Sequence, residues 1–95
     1  MIDRIKINEE RLDIIINSIN NLEDALTDFE SNKNNIRLLN KYYGSKNWFK
    51  DKEVFESEKI HNVKAGVLSE DAVWNMNEDI KDLIFKMKEI IKKYR

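Results

Sequence analysis

Tyr42-Tyr43-Gly44-Ser45-Lys46-Asn47-Trp48-Phe49-Lys50-Asp51 is the stretch around which the chain is organised. It holds four of the nine aromatic residues and one of the two glycines. Gly44 can take the left-handed conformation that closes a helix without a Cβ clash, and Ser45 can accept hydrogen bonds from the open N–H groups of a following helix. The stretch therefore reads as the corner of a helical fold, tied to the core by aromatics on both sides of the glycine.

Outward from the corner toward the N-terminus, apolar residues recur as Ile5, Leu12, Ile15, Ile19, Leu22, Leu26, Phe29, Ile36 and Tyr43, spaced by three, four or seven. That is one seam of a helix beginning near Asp3 or Arg4. Ser31-Asn32-Lys33-Asn34-Asn35 is a candidate break, because Ser and Asn compete for backbone hydrogen bonds. The seam keeps its phase from Phe29 to Ile36, which favours one continuous helix to Tyr43, roughly 60 Å long.

Outward in the other direction, Ser45 to about Ser57 reads as a short helix carrying Trp48, Phe49 and Phe55. The pattern then loses its period until Leu68, with a turn at Gly66. Ser69-Glu70-Asp71 opens the last helix with a capping hydroxyl and two acids at the positive end, and Leu68 with Val73 is placed as a hydrophobic staple. The seam that follows is Val73, Met76, Ile80, Leu83, Met87, Ile90 and Tyr94.

Charge suggests how the long helices run. Residues 1–31 hold eight acids and three bases, and residues 86–95 hold one acid and five bases. An antiparallel arrangement sets these opposite signs side by side. The predicted fold is all-α, a single helical domain over 1–95, with long antiparallel N- and C-terminal helices and a short central helix packed across them like a three-helix bundle.

Composition limits the function. Seventeen basic and eighteen acidic residues nearly cancel, so no global field draws in nucleic acid or anionic lipid. The absence of cysteine removes thiolate chemistry and disulfides. Met1 opens a charged amphipathic segment rather than a signal peptide or membrane span, which predicts a cytoplasmic protein.

Sites with chemistry are few. Glu58-Lys59-Ile60-His61 has the Glu-x-x-His spacing of di-iron bundles, but in one copy, in the least periodic segment and with the only histidine, so a surface loop histidine is the better reading. Acidic neighbours such as Glu9-Glu10 and Glu78-Asp79 point about 100° apart on a helix and read as solvated faces. No phosphate-binding loop, metal site or cofactor site is predicted, and no catalytic residue. The candidate binding residues are Tyr42, Tyr43, Trp48, Asp51, Glu70 and Asp71, which join flat apolar surfaces to hydroxyl, indole and carboxylate groups. A structural corner explains the same residues: Tyr43 continuing the seam, Trp48 and Phe49 plugging the core, Asp51 meeting lysines.

Tyr42-Tyr43-Gly44-Ser45 with Trp48 and Asp51, followed by Gly66-Val67-Leu68-Ser69-Glu70-Asp71 and Val73, resembles the bacterial family called domain of unknown function 4298. The likeness covers almost the whole chain. The resemblance implies a bacterial, cytoplasmic, all-helical protein and carries over no catalytic residues.

The leading expectation is a non-catalytic module that binds a protein partner or forms a homodimer, because the first seam is longer than a final helix of about 37 Å can cover. The overhang from Ile2 to Ile16 is the segment expected to seek a second chain. The alternative is a small-ligand protein or enzyme with a pocket at Tyr42, Trp48, Asp51 and Glu70.

Overall fold

A computed structural model describes residues 1–58 and 62–94. Four helices are present among them: α1 Ile2–Ser31, α2 Lys33–Tyr42, α3 Lys46–Ser57 and α4 Ala72–Lys93, with a single 3₁₀ turn at Gly66–Leu68. No strand occurs among the described residues, and the class is all-α as expected. The chain divides into two units, Met1–Ile36 and Arg37–Arg95, and the division falls within α2.

In the first unit, α1 begins at Ile2, with Asp3 in the first turn where a carboxylate meets the positive helix end. None of its residues is buried. Ile5, Leu12, Ile15, Ile19 and Leu22 are each half or more exposed, although they form one face by their spacing.

The expected continuous helix is corrected at Asn32. Its backbone sits at φ −91°, ψ 4°, and its N–H reaches back three residues to Phe29 O at 3.1 Å rather than four. Side chains cause the interruption. Ser31 Oγ donates to Asp28 O at 2.6 Å and Asn32 Nδ2 donates to the same carbonyl at 3.0 Å. These polar groups offer that carbonyl an alternative to the helical ladder. The ladder resumes when Ile36 N–H donates to Asn32 O at 2.9 Å, and Asn35 Nδ2 donates to Asn32 Oδ1 at 3.0 Å. Only one residue leaves the helical pairing, so the seam spacing keeps its phase across a real break.

In the second unit the corner forms as the sequence predicts. Gly44 has φ 77°, and Ser45 N–H donates to Tyr42 O at 2.9 Å, closing a tight turn whose third residue needs positive φ. Ser45 then caps α3, its Oγ accepting from Trp48 N–H at 3.2 Å. At the far end, Ser69 has extended backbone, and its Oγ accepts from Ala72 N–H at 3.1 Å while donating to Gly66 O at 2.8 Å. The predicted cap is therefore made, although α4 gains regular pairing only from Ala72.

The core of this unit is small. Among the described residues only Trp48, 4% exposed, and Val73, 3% exposed, are buried hydrophobics. Phe49, expected to plug the core, is 60% exposed and lies outside it.

Candidate functional site

The corner and the start of α4 meet through hydrogen bonds that run between the two sequence motifs. Tyr43 directly follows α2, and its hydroxyl donates to the main-chain carbonyl of Glu70 at 2.7 Å. Trp48, in the first turn of α3, donates its indole N–H to Val67 O at 2.8 Å. Further along α2, Asn40 and Asn77 exchange two amide bonds, at 2.8 and 3.2 Å. Residue 40 thus pairs with 77 and residue 43 with 70, so the end of α2 and the beginning of α4 approach in antiparallel sense.

Stacked rings and one cation complete the cluster. The Tyr43 and Trp48 rings meet edge to face at 5.3 Å, and those of Trp48 and Phe49 at 4.9 Å. Lys52 sits one turn after Trp48, with its ammonium 5.2 Å from the indole ring and 3.2 Å from Glu70 Oε1. The Glu70 side chain is 80% exposed, so this ion pair contributes at most about 1 kcal/mol.

Tyr42 donates its hydroxyl proton to Asp51 Oδ2 at 2.7 Å. This bond favours the neutral phenol and raises the Tyr42 pKa above its ordinary 10.0, with partial desolvation and the Asp51 charge adding in the same direction.

All six predicted site residues lie in this region, and five of them are hydrogen-bonded within it. Tyr42 is bonded to Asp51, Tyr43 to the Glu70 backbone, Trp48 to Val67 O, and Glu70 to Lys52. Asp71, expected as an acid at the positive helix end, is the N-cap residue of α4 and makes no side-chain cap bond. A cleft of about 250 Å³ lies between Lys50, Asp51, Val54, Phe55, Val63 and Leu68, and another of about 330 Å³ involves Lys52, Phe55, Glu56, Ala65, Leu68 and Ser69. Neither cleft is lined by Tyr42, Trp48 or Glu70. Among the described residues no group of three His, Cys, Asp or Glu side chains is placed to hold a metal ion. The Glu58-x-x-His61 pair falls at residues 59–61 outside the described residues.

Sequence reasoning missed Lys52, Asn40 and Asn77 as partners. Lys52 follows Trp48 by four residues, the spacing that places a cation over a ring on the same helix face. Asn40 interrupts the apolar seam, and a polar residue there signals a partner across the interface. Nothing in the sequence marks the carbonyls of Val67 and Glu70 as acceptors.

The profile of the domain of unknown function DUF4298 matches residues 5–90. The chain belongs to this family. The DUF4298 match therefore takes in most of α1, the corner, and most of α4. No curated protein and no solved structure gives a significant match. No helix among the described residues of this DUF4298 chain is long and apolar enough to cross a membrane.

Proposed function

We propose that this DUF4298 protein is a non-catalytic, cytoplasmic association module whose first helix is completed by another protein surface. The observation that carries this reading is the exposure of α1. It bears Ile5, Leu12, Ile15, Ile19, Leu22, Leu26 and Phe29 at alternating heptad spacing, and no residue of the helix is buried. A helix of mixed polarity gains most of its stability in water from burying its apolar face, so a seam of this length calls for a cover. The corner supports the same reading, since Tyr42, Tyr43, Trp48, Asp51 and Glu70 are each bonded to another group of the chain. The bundle-like arrangement of long helices crossed by α3 is proposed for the assembled state, in which α1 is covered.

The test compares the full chain with an Ile15→Asp, Ile19→Asp variant, each purified from the protein's own cell. Bound protein is identified by mass spectrometry and particle mass is measured by light scattering. The native chain is expected to carry a stoichiometric protein, its own copy or another, and the variant to lose it at equal helix content. A native chain that is monomeric and partner-free sinks the reading.

A further inference from the structure

Two seams of the chain carry flanks of opposite sign. On α1, Glu23 and Glu30 directly follow the seam residues Leu22 and Phe29. On α4, Lys86 and Lys93 directly precede the seam residues Met87 and Tyr94. Each pair is one heptad apart. The ion pairs within α4 use outward-facing charges instead, Lys81 with Glu78 and Lys92 with Glu89. Among the described ion pairs, Glu23, Glu30, Lys86 and Lys93 are uncommitted. Of the apolar residues they flank, Leu22 is 58%, Phe29 38% and Tyr94 89% exposed, while Met87 is half-buried.

We propose that α1 of one copy lies parallel to α4 of a second copy, with Glu23 against Lys86 and Glu30 against Lys93, and that a two-fold axis repeats the contact. This rests on the reading of α1 as an association element and names its partner. Three arguments select the arrangement. First, in parallel helical pairs the residue before one seam position faces the residue after a seam position of the partner, so the acidic and basic rows meet. The same register stacks Ile19 on Met87, Leu22 on Ile90 and Leu26 on Tyr94, and it puts Asp79 opposite Ile16, with no like charges facing. Second, in antiparallel packing of the same two helices the rows do not meet, because Glu23 and Glu30 then face the row of Ile84 and Ile91. Third, pairing α1 with α1 is disfavoured: residues 1–31 carry eight acids and three bases, a net of −5, and Glu23 and Glu30 would face Ser18 and Ala25. A second copy is the occupant because it presents the basic row of α4 in the parallel sense that the acidic row of α1 requires.

Charge reversal tests the contact in the full chain. Lys86→Glu with Lys93→Glu, and separately Glu23→Lys with Glu30→Lys, are each expected to raise the dimer dissociation constant about tenfold or more at low salt. An equimolar mixture of the two variants is expected to recover native affinity, since each then offers the other a complementary row. The chain has no cysteine, so a Leu22→Cys chain mixed with an Ile90→Cys chain reports the register directly, and a cross-linked dimer is expected. A dimer indifferent to both reversals, or variants that fail to complement, overturns the contact and leaves α1 as an association element. A Leu22→Cys, Ile90→Cys double variant that closes within one chain, or a native chain that stays monomeric at millimolar concentration, overturns the second copy as occupant. The association reading itself falls only when the native chain, purified from its own cell, is also free of any other protein.

Discussion

Gly44 and Gly66 are the only glycines of the chain, and they make different demands on the backbone. A Cβ at either would meet nothing within 4 Å, but only Gly44 has positive φ, at 77°. Gly44→Ala is therefore expected to cost about 1–2 kcal/mol through backbone strain alone. Gly66→Ala has no such penalty and is expected to stabilise by about 0.4–1 kcal/mol by restricting the unfolded chain. Urea titration of both variants checks the contrast, and equal effects would mean that the corner does not hold Gly44 left-handed. Tyr42 gives a second prediction at this scale. Its raised pKa means the folded state prefers the neutral phenol, so the stabilisation is fully present below pH 10 and is lost as pH rises through the folded value. Phenolate absorbance, with Tyr42→Phe as the subtraction, is expected to show the Tyr42 midpoint above 10, moving down in Asp51→Asn. An unmoved midpoint would mean that Asp51 does not hold the proton.

At the scale of elements, the interruption at Asn32 results from side chains that compete for one carbonyl, and removing them should repair it. Ser31→Ala with Asn32→Ala deletes both bonds to Asp28 O and replaces poor helix formers with the best one. Far-ultraviolet circular dichroism is expected to show increased helix, with a gain of about 0.5 kcal/mol per substitution. Unchanged ellipticity would place the cause of the break elsewhere. This element also shows what the sequence reveals. The composition of Ser31–Asn35 marks the break, but the preserved phase argues against it, because losing one residue from the ladder hardly disturbs a seven-residue repeat. The corner was legible because a left-handed glycine and a serine cap are local demands. The Tyr43 and Trp48 contacts to Glu70 O and Val67 O were not, since a carbonyl acceptor has no signature in side-chain chemistry. Phe49 misled because aromatic character predicts burial on average, whereas its place on α3 sets it on the outer edge of Trp48.

For the whole molecule, the balance between a small core and long exposed seams ties stability to concentration. Trp48 and Val73 are the only buried hydrophobics among the described residues, while the seam residues Leu12, Ile15, Ile19 and Leu22 of α1 and Leu83 of α4 remain half or more exposed. Covering those seams with a second copy would link folding to association, and stability would then rise by about 1.4 kcal/mol of dimer for each tenfold rise in protein concentration. The melting midpoint followed at 222 nm is therefore expected to climb steadily from micromolar to millimolar protein. The Ile15→Asp, Ile19→Asp variant should melt at one temperature throughout that range. Salt separates the two contributions to the interface: exposed ion pairs such as Glu23 with Lys86 are screened as the Debye length shrinks to about 3 Å at 1 M, whereas apolar contacts are not. High salt should lower the native midpoint only part of the way to that of the seam variant, because the apolar layers carry the larger share. A native midpoint that ignores concentration would mean that folding of α1 draws nothing from another copy, and the seam would then have to be covered by a different protein.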